Sequence, residues 1–392
     1  MRGRIRTVIA TVSLVLVTHD LAACRETSSP PGDLPPRLRL GALVPLSGDN
    51  GPTGRRMLPA YEMAVKEAND AGGVLGHRVE FISGDDGCEP GTAVRAANAM
   101  VAKDITVSVG GACSAATVPT LKVFRAAGVP MIIPGSNSTD LLAPRYDSVF
   151  LLSGTTLIEA DRALKWMRLL GSRRVAIIDD GTSFPQTLAT AVAKVVRRPS
   201  SPPVLAGDQQ MTLSQGAPGY RRIASEVIRR RADMVFFTGY YIEAARLIRD
   251  LRAAHYTGKI MLSDAGTDPI LFKEIDAAKA EGVYGLTLPL AEFTPRAKEW
   301  AEHYRNLTGT APGPFTMQAF DAVSLALNAV RRAGSLDRDA IRAAIARTSD
   351  GDVELLSGPS RFNPDGTQVD PTFIPLQIRN GAFALARPAG WK

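Results

Sequence analysis

Short apolar runs and amphipathic stretches take turns along this chain, and that alternation limits the fold more than any other feature. Leu38–Leu46 (LRLGALVPL) reads as an extended apolar strand that stops at Pro45. Arg55–Ala71 follows with helical spacing. Leu58, Tyr61, Met63, Val65 and Ala68 lie near one face, and Gly72-Gly73 ends the segment. Val79–Ile82, Thr106–Val109 and Val129–Ile133 read as strands, with helices at Thr92–Lys103 and Ala115–Ala127 between them. The rhythm restarts after Thr156. Helices are expected over Leu157–Leu170, Pro185–Val196, Tyr220–Arg230 and Ile242–Ala254. Strands are expected over Arg174–Ile178, near Val204–Met211, and over Met234–Phe237 and Lys259–Leu262. Strands joined by helices of this length pair in parallel, with helices on both faces. Wholly apolar runs such as Met234–Phe237 suit central strands buried on both sides. Two such series predict an α/β chain of two similar lobes.

Open α/β sheets bind ligands beyond the carboxyl ends of their strands. Here those segments are Ser47–Gly54, Asp85–Cys88, Gly110–Ser114, Pro134–Ser138, Asp179–Phe184, Thr238–Tyr241 and Ser263–Gly266. An enzyme makes poor use of them. Gly110–Ser114 lacks the G-x-S-x-G spacing of a nucleophile turn, and His77, His255 and His303 are scattered. There is no H-E-x-x-H, no phosphate-binding G-x-x-x-x-G-K-[ST] and no G-x-G-x-x-G after a strand. Adjacent side chains in extended backbone point opposite ways, so Asp85-Asp86 reads as turn structure, not a metal site. A binding protein uses the segments better. Ser114 stands where a helix begins, and free amides with the helix dipole favour a carboxylate there. Ser136 and Asn137 offer donors and acceptors after a buried strand, and Asp264 can pair with a cation. Helix capping is the plainer role for Ser114 and Asn137.

Composition narrows the class. Hydrophobic residues make up 45%, enough for a large core. The 46 basic and 39 acidic residues give a net charge of +7 without a dense Lys/Arg block, so nucleic acid is not an expected partner. The N-terminus reads as an address. Residues 1–6 (MRGRIR) are basic, and Val8–Val17 is apolar but short for a membrane span. Leu21-Ala22-Ala23-Cys24 resembles a bacterial lipoprotein signal, in which the cysteine thiol takes a lipid and becomes the new N-terminus. An ordinary signal cut near Ala23 is the alternative. Residues 25–36 (RETSSPPGDLPP) read as a tether. Cys88 and Cys113 remain. Outside the cytoplasm an even pair invites a disulfide, with two separate buried thiols as the alternative.

Three ordered segments carry a wider resemblance: GALVPLSGDNGPTG, YEMAVKEANDAGGVLGHRVEFISGDDGCEP and GGACSAATVPT. Together with LLSGPSRFNPDGTQVD near the C-terminus, they resemble the leucine/isoleucine/valine-binding proteins. These are periplasmic binding proteins of the type I fold that serve ABC importers. The resemblance implies two Rossmann-like lobes with three crossings, near Ser153–Thr156, Thr287–Pro289 and Ser357–Pro359. It gives lobe 1 as residues 37–155 and 288–358 and lobe 2 as 156–287 and 359–392, after a signal over 1–23 and a tether over 24–36. It also implies a Cys88–Cys113 disulfide. Ser114 would bind the ligand carboxylate, Gly135, Ser136 and Asn137 its carboxylate and ammonium, and Asp264 the ammonium. Tyr240 would border the side-chain pocket, with Phe315 nearby. Thr53 and Phe184 stand where branched-chain members carry an aromatic residue and a tyrosine. Asn137 replaces a threonine and Asp264 a glutamate. The expected function is that of an extracytoplasmic, lipid-anchored solute-binding protein. It would bind an amino acid without any cofactor and deliver it to a membrane permease. A sensor for small amides or amino acids that reports to a signalling partner is the alternative.

Overall fold

The computed structural model describes residues 37–197, 202–386 and 389–391. The signal, Cys24 and the tether lie outside the described residues. No helix among the described residues is long and apolar enough to cross a membrane.

The elements run β1 Leu38–Val44, α1 Gly51–Asp70, β2 Val79–Asp85, α2 Pro90–Ala102, β3 Val107–Ser108, α3 Ser114–Ala126, β4 Met131–Ile133 and β5 Val149–Leu151. Then come α4 Thr156–Leu169, β6 Arg174–Asp179, α5 Ser183–Val196, β7 Val204–Leu205, β8 Met211–Thr212, α6 Arg221–Arg229, β9 Met234–Phe237, α7 Tyr241–Ala253 and β10 Lys259–Leu262. They continue with α8 Leu271–Glu274, α9 Ala277–Ala280, β11 Tyr284–Thr287, α10 Lys298–Thr308, α11 Thr316–Ala333, α12 Arg338–Ala346, β12 Ile374–Arg379 and β13 Ala382–Leu385. Helix α1 starts four residues before the expected Arg55, because Pro52 fits a first turn that needs no amide proton. The single strand expected near Val204–Met211 is two short ones, interrupted at Gly207, whose φ is +100°.

The first sheet has the order β2-β1-β3-β4-β5, every neighbouring pair parallel. The second runs β13-β12-β11-β10-β9-β6-β7, with β8 also paired to β6. Its parallel part, β7-β6-β9-β10-β11, repeats the winding of the first sheet, while β12 and β13 add an antiparallel hairpin at the edge. In both sheets the direction of winding reverses beside the first strand, β1 or β6, and a crevice opens at such a reversal.

The chain crosses between the lobes three times. The first crossing leads from β5 to α4. The second follows β11 and returns the chain to the first lobe, where α11 packs on α1 and α12 on α11. Arg338 fastens this return by donating to the carbonyl oxygens of Ala127 and Ile105, at 3.1 and 2.8 Å. The third crossing comes later than Ser357–Pro359. There the amides of Leu356 and Ser357 donate to the Asp321 carboxylate of α11, so the chain turns and stays. Residues 361–369 then run along β5, with Thr367 bridged to Leu151. Gly366 is required at that edge. Its φ is +82°, and a Cβ would stand 1.9 Å from the carbonyl oxygen of Val149. The passage to β12 begins after Asp370. It runs beside the first crossing, where a Cβ on Gly154 would meet Pro371 at 2.7 Å.

Candidate functional site

Six of the seven strand-end segments supply residues around one small cavity between the two sheets. Asp85–Cys88 does not line it and works behind the wall. Asp85 Oδ1 accepts the amides of Leu46, Ser47 and Gly87, holding the β1–α1 loop. Asp86 Oδ1 accepts the Cys88 amide at 2.8 Å. The disulfide between Cys88 and Cys113, with Cα atoms 5.3 Å apart, ties this loop to the start of α3. Gly54 sets α1 directly on the end of β1, since a Cβ there would lie 1.8 Å from the Pro45 carbonyl oxygen. That contact brings Asn50 and Thr53 to the cavity.

Ser114 is the first residue of α3. The amides of Ala116 and Thr117 turn back to the Cys113 carbonyl, at 3.1 and 2.9 Å. Ser114 Oγ accepts the Ser138 amide at 3.2 Å, which leaves its own proton to donate. Gly135 fits flush against this turn. A Cβ on it would be 3.2 Å from Ala112 Cα and 3.3 Å from the Phe315 ring. Phe315 itself has φ +63°, a conformation few bulky residues adopt, immediately before α11. Of the nine binding residues expected from sequence, eight line the cavity and Ser136 does not. Its hydroxyl pairs with Thr117 Oγ1 at 2.8 Å, its amide donates to Gly111 O and its carbonyl accepts from Ser153. The Gly135 amide is likewise spent on Gly111 O.

The second lobe supplies the facing wall. Phe184 meets Tyr240 edge to face, with ring centroids 6.3 Å apart, and Asp264 opens a single turn after β10. Polar contacts join the walls. Asn137 Nδ2 donates to Asp264 Oδ2 and to Glu159 Oε2, each at 3.2 Å. Thr53 Oγ1 donates to Asp268 Oδ2 at 2.9 Å, and Arg56 pairs with the same oxygen. Tyr241 OH donates to Asp49 O at 2.5 Å, and Ser183 Oγ to Asp140 Oδ2 at 2.7 Å. The cavity therefore has donors and a helix N-terminus on one side, a carboxylate on the other and aromatic rings between.

The model of the periplasmic binding protein family matches residues 37–382. The chain belongs to that family. The fold of this periplasmic binding protein is that of type I. A leucine-, isoleucine-, valine-, threonine- and alanine-binding protein of Pseudomonas aeruginosa is 26% identical over 313 residues. The match covers 79% of this chain and 82% of that one. A Leu/Ile/Val-binding protein homologue of Brucella melitensis is 28% identical over 345 residues, covering 86% and 90%. A leucine-binding protein of Thermotoga maritima superposes with a TM-score of 0.81 at 22% identity, covering 89% and 98%, which speaks for the fold alone.

Several residues of this periplasmic binding protein's site were not singled out from sequence: Asn50, Tyr241, Asp268, Arg56 and Glu159. Tyr241 adjoins Tyr240, and Asp268 lies two residues beyond the segment read after β10. Glu159 had a signal of its own. It shares the buried face of α4 with Ala163 and Trp166, at helical spacings of four and seven. A carboxylate on such a face calls for a partner. Burial raises the Glu159 carboxyl well above its usual range, and the facing Asp264 raises it further. Burial also pushes Asp264 up to about 7, against the hydrogen bonds from Ala265 and Asn137.

Proposed function

We propose that this periplasmic binding protein captures a small amino acid between its lobes and presents it to the permease of an ABC importer. In this reading it is held outside the cytoplasm by a lipid on Cys24. The observation that carries the reading is the pairing across the cavity. Ser114 with the α3 N-terminus on one lobe suits a carboxylate, and Asp264 on the other suits an ammonium. A zwitterion enclosed between lobes needs both charges matched, because an unpaired buried charge is costly. The amino-acid specificities of the relatives support the same ligand class. Phe184, Tyr240 and Phe315 would border the ligand side chain. Thr53 is turned to Asp268 and narrows that region without an aromatic ring.

The test is mass spectrometry of ligand released from the purified protein, followed by calorimetry on a panel of amino acids. Asp264→Asn is expected to weaken a zwitterion by about 2–5 kcal/mol, the range for truncating a buried charge pair. It should weaken an uncharged amide of similar size far less. Ser114→Ala should cost about 1–3 kcal/mol, since the helix amides remain. Wild-type affinity in Asp264→Asn refutes the ammonium assignment.

A further inference from the structure

Glu159 is fully buried on α4, in the second lobe, and does not line the cavity. It nevertheless touches both groups that define the cation end. Its Oε1 accepts the Asp264 amide at 3.2 Å, and its Oε2 accepts Asn137 Nδ2 at 3.2 Å. Asn137 Nδ2 also donates to Asp264 Oδ2. Both amide protons of Asn137 are thereby committed to carboxyl groups. Turning that amide over would set Oδ1 against two carboxyl oxygens. The orientation is therefore fixed, and Oδ1, which no donor among the described residues meets, stays an acceptor beside the cavity.

The carboxyls of Glu159 and Asp264 are both buried and are bridged by the one Asn137 amide group. The groups around them are few. The loop after β4 sends only Asn137, and the turn after β10 sends Asp264, with the Tyr240 hydroxyl near it. Beyond Tyr240 are Asp180, Asp86 and Glu243, all acidic. Helix α5 carries Lys194, which is exposed. On β11, Tyr284 packs against Trp166 of α4, and Thr287 contributes a hydroxyl. On α4 itself, Asp161 is exposed, while Arg162 and Lys165 are half-buried, with the Lys165 ammonium over the Trp391 ring. No buried cation offsets the two acids among the described residues. Glu159 and Asp264 belong to the same lobe, so they stay together when the cleft opens.

We propose that Glu159 is a positioning residue of the cation end, which locks the Asn137 amide and shares one proton with Asp264 that is released when a ligand ammonium binds. This rests on the amino-acid reading above. The balance is simple. One carboxylic acid and one carboxylate before binding become two carboxylates around one ammonium, and the proton passes to the buffer. Affinity for an amino acid consequently rises with pH through the range in which the pair titrates, by up to about tenfold per pH unit. The lock has its own effect. With Glu159 in place, Asn137 Oδ1 and the carboxyls favour an ammonium over a 2-hydroxy acid, whose hydroxyl donates only once and brings no positive charge.

The experiment titrates the full-length mature protein with the tightest binder among the twenty common amino acids. It is run from about pH 6 to 8, bracketing the raised Asp264 carboxyl, in two buffers of different ionisation enthalpy. Wild type is expected to release up to one proton per ligand and to bind more tightly as pH rises. Glu159→Gln is expected to release none, to give a flat profile, and to narrow the preference for the amino acid over the matching 2-hydroxy acid. Wild-type binding without proton release overturns the inference even if the variant does not fold. Equal release in wild type and Glu159→Gln overturns it as well. Failure of every amino acid to bind wild type overturns instead the amino-acid reading on which it rests.

Discussion

Arg56 offers a test of lobe closure that leaves the ligand untouched. It lies on α1 in the first lobe and does not line the cavity. Its guanidinium reaches across to Asp268 Oδ2, which Thr53 Oγ1 also contacts at 2.9 Å, while Asp268 Oδ1 accepts the Ile270 amide at 2.9 Å. Two features hold the arginine. Tyr304 OH donates to its carbonyl at 2.7 Å, and Gly313 leaves room for the guanidinium, since a Cβ there would stand 2.8 Å from Nε. The Asp268 side chain is 4% exposed and that of Arg56 21%. A hydrogen bond to a charged group contributes about 1.5–3 kcal/mol, and the wet fifth of the arginine argues for the lower end. Arg56→Gln should therefore weaken closure by about 1.5 kcal/mol. That lowers affinity about tenfold, because 1.4 kcal/mol is a factor of ten in binding. The loss should be the same for every ligand in a calorimetric panel. Small-angle scattering should show a larger radius of gyration at subsaturating ligand. Unchanged affinity, or a loss that differs from ligand to ligand, refutes the closure argument.

Reduction of the Cys88–Cys113 disulfide, whose cysteines are 25 residues apart, should lower stability by about 3.5 kcal/mol in the chain-entropy model. Denaturation with and without reductant measures it, and indistinguishable midpoints would refute it. Cys24→Ala should abolish lipid attachment and release the protein from the membrane fraction. Equal, correctly processed membrane association of mutant and wild type on blots would remove the anchor from the proposed function.

The architecture was legible where burial enforces a period. Val107, Met234–Phe237 and Ile260–Leu262 sit inside sheets, so their apolar runs announced themselves. The placement of Ser114, Asn137 and Asp264 around one cavity was legible because such sheets bring their strand ends together, and one residue class recurs there. Ser136 stands at the same strand end but does not line the cavity. Its position was right, but only the structure reveals that Thr117, Gly111 and Ser153 consume its polar groups. Glu159 was passed over because a glutamate in the first turn usually faces water and serves the dipole, although its spacing to Ala163 and Trp166 marks the buried face. The third crossing was displaced because Gly358-Pro359 looks like an exit. What keeps the chain on the first lobe is the Asp321 carboxylate, some 35 residues earlier in sequence. Contacts of that separation leave no local pattern.

The return of residues 361–369 to the edge of β5 also bears on the order in which the molecule can be made. The first sheet begins with Leu38 and is not finished until Thr367 pairs with Leu151. Between those points the chain lays down every parallel strand of the second sheet. Synthesis from the N-terminus thus yields a first lobe that lacks α11 over its α1 face until most of the second has emerged. Neither lobe corresponds to a continuous stretch that could be cut out and expressed alone. A chain that ends before α11 leaves bare the part of the buried face of α1 on which α11 packs.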